Sequence, residues 1–302
     1  MLAIQGDYLQ LTTFDGKSVT LPDGSYTVGI LGSAGAPPVN FITRQGYKQH
    51  GETEISYNLG KRALTLQLHR SPACTRAQYW ANRAELHDIL RHNRGGAMTL
   101  TVAQAGGSAK RSIIVRADPG AVFAEDTSRE AGWWIDEKIN LTAFDPIWFD
   151  PTTINLKLTA ITQNYLVFPI TFPIIFGTSG LPFVVPITYT GTWYGYPTIT
   201  LTGPYNAAVI QNTSTMTSFT LTAPVPAGAS RIISTLPGAI SIVDAQGLSH
   251  FGDLGPTSNL VDFNLRPDPE VKNGTQTITI TLLNTAAGSG ASLSYQTRYF
   301  GL

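Results

Sequence analysis

The sequence is short of cysteine, of charge and of any unbroken apolar run, and each shortage removes a class of explanation. One cysteine, Cys74, allows neither an intrachain disulfide framework nor a cysteine-based zinc site. Charged residues make up 13% of the chain, about half the usual share. The 20 basic and 20 acidic side chains cancel, which argues against general nucleic-acid binding through a basic surface. The opening residues Met1–Asp7 have neither a basic segment nor a long apolar one, so no signal peptide is expected. The longest charge-free run, 158–230, is broken by Pro169, Pro173, Pro182, Pro186 and Pro197. A spanning helix needs about 20 mostly apolar residues without such breaks. The run is read as β structure, and no membrane insertion is expected.

What is present is a foldable chain of 302 residues with 42% apolar content and a mean hydropathy of +0.02. That length suggests two domains. Residues 1–150 hold 15 basic and 15 acidic side chains, and residues 151–302 hold five of each with 25 Thr and 13 Pro. The shift falls at Asp145-Pro146-Ile147-Trp148-Phe149-Asp150-Pro151, which reads as a boundary. The expected domains are therefore 1–150 and 151–302.

The first part reads as α+β. Tyr8–Phe14 and Lys17–Leu21 flank Asp15-Gly16, a hairpin turn signal. Arg62–His69 alternates, with Leu64, Leu66 and Leu68 on one face. Ser71-Pro72 then offers an N-cap and a first-turn proline, predicting a helix from Pro72 to His92 that Asn93 and Gly95-Gly96 stop. Met98–Val102, Arg111–Arg116 and Ile135–Phe144 read as strands. The second part reads as short strands between turns: Ile154–Thr159, Thr198–Thr202, Phe219–Thr222, Ile240–Val243, Leu260–Leu265, Thr277–Leu283 and Leu293–Tyr299. That spacing suggests a β-sandwich.

Catalytic chemistry finds no footing. Neither a Walker loop nor a dinucleotide fingerprint is present; the glycine-rich stretch 32–38 leads into proline and reads as a loop. His87 and His92 lie about 140° apart on a helix and cannot share a metal as an i, i+4 pair can. Cys74 is expected in the first helical turn near Arg76, but no base for it can be named. Glu52 and Glu54 are expected on one strand face, where surface carboxylates are common. No catalytic, cofactor-binding or metal-ligating residue is assigned, and no enzymatic activity is expected.

The predicted helix carries the most information. Tyr79, Leu86, Ile89 and Leu90 form one apolar stripe at about 100° per residue. Beside it Arg76, Trp80, Arg83, His87, Arg91 and Arg94 fall in a narrow sector, with Glu85 and Asp88 on another side. Like charges along one face repel by a few tenths of a kcal/mol per pair (about 0.2–0.5), so a basic flank hints at an acidic partner. Residues 61–116, including Lys110 and Arg111, contain ten basic and two acidic side chains. Residues 118–137 contain six acidic side chains, among them Glu125, Asp126, Glu130, Asp136 and Glu137, and one basic. Blocks of opposite sign suit head-to-tail association, which closes into rings when the rotation allows. A solvated flank with internal salt bridges and contact with phosphates are the other readings of the same residues. The second part offers aromatics instead: Trp193, Tyr194, Tyr196, Tyr205, Tyr295, Tyr299 and Phe300. Exposed aromatics stack on sugar rings or fill protein interfaces, but Arg231, His250, Arg266 and Arg298 are far apart in sequence.

The order of these segments resembles a known family. The 62–69 strand, the 72–92 helix, the 98–102 and 111–116 hairpin and the Asp145–Phe149 boundary carry the resemblance. So do Phe168-Pro169-Ile170-Thr171-Phe172-Pro173, the stretch Tyr196–Pro204, and Ser294–Gly301. Together they resemble the distal tail protein (Dit) family of long-tailed, non-contractile bacteriophages. The resemblance implies a mainly-β chain. An N-terminal α+β domain, β-sandwich-like with one helix, would form a homo-hexameric ring and contact the tail tube protein. A C-terminal galectin-like β-sandwich would face outwards. It also implies docking of a tail-associated hub or tip protein, passage of the tape measure protein and DNA through the lumen, a place in the virion, and assembly in the host cytoplasm. Galectins use a His, Arg and Trp cluster for sugar; no such motif assembles around Trp193, so the sandwich is read as a scaffold. The alternative reading is a carbohydrate-binding adhesin module at the host surface.

Overall fold

The computed structural model describes residues 8–22, 26–70, 75–91, 97–103, 109–118, 136–158 and 180–302. Among them are eighteen strands and one α-helix, so the chain is mainly β. It divides into two compact units: residues 1–151 together with 299–302, and residues 152–298. The chain thus leaves the first unit and returns to it for its last four residues.

The first unit is built on strands whose alternate residues are apolar. β1 (Tyr8–Thr12) and β2 (Ser18–Leu21) form a hairpin in which Leu9 pairs with Leu21 and Leu11 with Val19. Its turn closes through Thr13 N to Lys17 O at 2.8 Å, and Gly16 takes a φ of +84° that an L side chain rarely adopts. β1 also pairs with β7 (Met98–Ala103), and β7 with β8 (Lys110–Ala117). A second run joins β3 (Tyr26–Gly32), β6 (Arg62–Arg70) and β9 (Asp136–Ala143). The two runs meet on β8, whose end at Arg116 and Ala117 pairs with β9. The buried faces, including Leu9, Leu11, Leu64, Leu66, Leu68, Leu100, Ile113, Ile139 and Leu141, share one core. Each such side chain contributes about 1.5–3 kcal/mol on burial.

The single helix, α1 (Arg76–Leu90), lays Tyr79, Leu86, Ile89 and Leu90 into that core, the stripe its spacing predicts. Its ends differ from expectation. Thr75, with extended φ/ψ of −69°/157°, is the N-cap. Its hydroxyl accepts from Gln78 N at 3.3 Å while Gln78 Oε1 accepts from Thr75 N at 3.1 Å. This reciprocal capping box satisfies two otherwise orphaned donors, and it sets the start four residues after Ser71-Pro72 would have. Ser71 to Cys74 lie outside the described residues. Arg91 is extended at φ −64°, ψ 127°, so the helix ends at Leu90, short of His92.

The remaining strands of this part are β4 (Val39–Arg44) and β5 (Thr53–Leu59), which pair only with each other among the described residues. Glu54 is in β5 opposite Thr43, and Glu52 stands one residue before the strand begins and is bonded by the Thr43 hydroxyl. β10 (Trp148–Leu158) begins in the first unit, with Phe149 opposite Ser112 of β8 and Trp148 fully buried.

The second unit is a pair of antiparallel sheets around one core. β11 (Gly180–Thr188), β17 (Thr275–Leu283), β13 (Ala207–Asn212) and β14 (Thr217–Leu221) lie in that spatial order. β16 (Ser241–Val243), β15 (Ser230–Ser234), β12 (Thr198–Thr202) and β18 (Gly290–Tyr299) make the other run. Among the described residues β11 pairs only with β17 and so lies at an edge, the place in a sheet where prolines such as Pro182 and Pro186 are tolerated. Ile210, Ile280, Leu201, Ile233 and Leu293 are all buried in the shared core, and Phe219 meets Phe263 edge-on at 5.0 Å. The expected strand at 260–265 is instead a run of turns. Asn259 Oδ1 accepts from Asp262 N at 3.1 Å, a side-chain turn that competes with the ladder. Leu265 alone forms a bridge, to Gly195.

Candidate assembly surfaces

The structure places the predicted basic flank on the helix but does not leave it uniformly charged. Arg76, Trp80, His87 and Arg91 are exposed. Arg83 is buried, with its guanidinium 4.9 Å from the Trp80 ring centroid, a cation–π contact. Asp88, expected on another side, pairs with Arg91 one turn on and with Lys17 of the β1–β2 turn at 2.9 Å. Burial first, and the Arg83 charge second, hold His87 below the ordinary imidazole pKa. The flank is therefore a partly neutralised surface around an exposed Trp80.

Of the other candidates, Lys110 is exposed, with Nζ 5.9 Å from the Tyr8 ring centroid. Arg111 is half-buried and faces inward to the last residues of the chain: it donates to Gly301 O and lies 4.1 Å from the Tyr299 ring centroid. Asp136 and Glu137 open β9, opposite His69 and Leu68 of β6. Glu125, Asp126 and Glu130 lie outside the described residues, as do His92 and Arg94.

A surface that the sequence did not single out is the β4–β5 ribbon. Phe41 stands opposite Tyr57, and Val39 opposite Leu59, on one face. Ile55 follows at a bulge where the register slips between Ile42 and Thr43. Phe41 and Ile55 are each 62% exposed and Tyr57 46%. Tyr47, at the tip, is 93% exposed under the Lys48 ammonium. The backbone accounts for this shape: a register of six pairs and a tip closed by Gln49 N to Gly46 O at 3.1 Å. A two-stranded ribbon is marginal in water unless something covers it. A row of large apolar side chains standing open marks an interaction surface.

No group of three metal-ligating side chains is found among the described residues. No helix there is long and apolar enough to cross a membrane. Of the aromatics of the second part, Tyr205 and Tyr295 are core residues, whereas Trp193, Tyr194 and Tyr196 are half-buried.

No protein-family model matches the sequence, and no curated protein matches it. Solved structures do. The fold is similar to that of the Dit protein (gp 19.1) of phage SPP1, described as a paradigm of the hub adsorption apparatus in phages that infect Gram-positive bacteria. The TM-score is 0.63 at 14% identity, covering 96% of this chain and 98% of that one. It is also similar to a chain of the phage P2 baseplate in its activated conformation with Ca, at a TM-score of 0.52 and 10% identity over 99% and 100% of the two chains. The same baseplate with Sr gives 0.50 at 10% identity over 98% and 99%. The likeness runs through nearly the full length of both chains, and at these identities it is a likeness of fold: this chain has a mainly-β, Dit-like fold.

Proposed function

We propose that the chain is a structural component of a phage tail tip, a homo-hexameric distal-tail ring that joins the tail tube to the tip or baseplate proteins. The observation that carries the reading is the open apolar face of the β4–β5 ribbon, whose occupant is a neighbouring copy of the same chain. Val39, Phe41, Ile55 and Tyr57 supply the apolar centre of such a contact, and the partly neutral flank around Trp80 supplies a polar rim. The full-length likeness to a hub protein and to baseplate chains supports the same role. In this reading the first unit, residues 1–150 in the main, builds the ring and meets the tube. The second, residues 152–298, is a galectin-like sandwich that faces outwards. A tail-associated hub protein docks on the ring, and the tape measure protein and DNA pass through its lumen. The protein is a virion component assembled in the host cytoplasm, and its role is geometric, without enzymatic activity.

The test is the solution mass of the purified full-length protein by light scattering, with negative-stain images of the same peak. A closed ring of about six subunits is the expected result, by the rule that head-to-tail contacts close when the rotation allows. A monomer that stays monomeric when the tube protein is added would overturn it.

A further inference from the structure

The second unit holds a polar cleft that the ring role does not use. It forms where two distant segments meet. Gly195 and Leu265 bridge as an antiparallel pair, Gly195 N to Leu265 O at 2.9 Å and Leu265 N to Gly195 O at 2.7 Å. Both are buried. Their neighbours alternate to the opposite side, so Tyr194 and Tyr196 stand beside Asn264 and Arg266, and these four line one cleft of about 350 Å³. Pro237, Val261, Asp262 and Glu270 complete it.

The backbone beneath is fixed by buried amides. Gln276 is fully buried; it accepts from Arg266 N at 3.1 Å and donates to Arg266 O at 2.9 Å. Asn212, also fully buried, donates to Asn264 O at 3.2 Å and to Gln276 Oε1 at 3.0 Å. On the other wall Tyr189 donates to Trp193 O at 2.7 Å and packs so closely that a Cβ on Gly195 would lie 2.7 Å from its ring. Glycine is required there. The cleft is therefore pre-organised on both sides, which lowers the ordering cost of binding.

Its chemistry selects a ligand class. The Tyr194 hydroxyl donates to Glu270 Oε1 at 2.6 Å, and Arg266 Nη1 lies 4.0 Å from Glu270 Oε2. Asn264 Oδ1 and Arg266 Nε are closed to solvent and have no hydrogen-bond partner among the described residues, whereas the Arg266 and Glu270 side chains are part-exposed and within reach of an incoming hydroxyl. Two carboxylates, Glu270 and Asp262, line the cleft with one guanidinium, so phosphate and sulfate are disfavoured. The apolar lining, Val261 and Pro237, is too small for a greasy ligand but suits the C–H face of a ring beside the two tyrosines. Closely spaced donors and acceptors with aromatic faces match vicinal hydroxyls, each of which both gives and takes a hydrogen bond. We propose that this cleft binds a neutral saccharide, with Glu270, Arg266 and Asn264 orienting its hydroxyls and Tyr194 and Tyr196 packing on its ring.

The proposal does not rest on the ring, and its test keeps the two apart. The full-length protein is probed on an array of neutral, sulfated and phosphorylated glycans, and by saturation-transfer NMR with free glucose, galactose, rhamnose and N-acetylglucosamine. At least one neutral glycan is expected to bind. Glu270→Gln and, separately, Val261→Asp are expected to weaken it tenfold or more, with the unfolding midpoint and the oligomer mass unchanged. Both positions are exposed, so neither variant threatens the fold. Absence of neutral-glycan binding, a preference for the sulfated or phosphorylated forms, or binding that survives both substitutions would overturn the assignment.

Discussion

Arg62 Nη2 donates to the carbonyl oxygen of Phe300 at 2.9 Å, tying together positions 238 residues apart. The same guanidinium reaches Pro146 O through Nε at 2.8 Å, Ser33 O through Nη1 at 3.1 Å, and Gly35 O. Arg62 is fully buried, and no carboxylate pairs with it among the described residues. Four carbonyls do the work of a counter-ion, and they belong to the β3 exit, the run into β10 and the returning end of the chain. Leu302 N adds a bond to Ala34 O at 3.1 Å. Arg62→Met keeps the apolar stem and removes every donor. Bonds from a charged donor are worth about 1.5–3 kcal/mol each and all four are lost, so the first unit is expected to lose more than about 4 kcal/mol, at the large end for a single substitution. Urea unfolding of the full chain should show the transition of that unit moving to lower denaturant while the other stays. Coincident, unshifted transitions would refute this role for Arg62.

The ribbon makes a prediction that separates folding from assembly. Phe41 and Tyr57 face each other in the open, and an exposed substitution usually changes stability by less than about 0.5 kcal/mol. Phe41→Ser with Tyr57→Ser is expected to leave the thermal midpoint where it is and to drive the oligomer to monomer at the concentrations where the parent protein associates. Arg76→Glu on the helix flank should do less, and any effect should fade as salt is raised, because exposed charges are screened within about 8–10 Å. A double-serine ribbon that still forms the parent oligomer would place the subunit contact elsewhere.

Where burial alternates, the sequence was readable; where it does not, it was not. The leucines of Arg62–Arg70 and the run Thr275–Leu283 bury every second residue, β7 and β8 do so over most of their length, and each was expected as a strand. The apolar stripe of α1 was likewise legible. β4 was not expected, because Ile42 beside Phe41 breaks its alternation and no core orders its faces, and β5 was expected only as the strand that carries Glu54. β11 was missed because its two prolines read as breaks, a signal that fails on an edge. Arg83 illustrates a different limit. Spacing placed it on the basic flank, but its long stem lets it fold under Trp80 and leave the surface. The cleft residues were named as aromatics and scattered arginines. Only the Gly195–Leu265 bridge, 70 positions apart in the chain, makes neighbours of them.

Tyr205 is buried with a hydroxyl that has no hydrogen-bond partner among the described residues. Burial pushes the phenol far above its ordinary pKa; Arg231 nearby opposes the rise and Asp253 adds to it. Removing an unpaired buried hydroxyl without changing shape recovers its desolvation cost, about 1 kcal/mol. Tyr205→Phe should therefore unfold at the same temperature or a higher one. In alkaline ultraviolet titration of the parent protein, Tyr205 should stay protonated well above the ordinary phenol value of 10.0. A clear fall in the unfolding midpoint of Tyr205→Phe would mean that the hydroxyl is paired in solution.

The helix carries its own pH signature at His87. Partial burial lowers its pKa from 6.5, and the neighbouring Arg83 guanidinium lowers it further. Between the lowered value and 6.5 the unfolded chain binds more protons than the folded one. The folded state therefore keeps this contribution in full above about pH 6.5 and loses it as the pH falls through the folded pKa. NMR titration of the histidine ring signals should give His87 a midpoint below the ordinary imidazole value of 6.5. Arg83→Gln is expected to raise the midpoint without restoring it fully, because desolvation is the larger cause. If the Arg83→Gln midpoint stayed put or fell, the charge would have no part in it, and the basic flank would be electrostatically weaker than its sequence suggests.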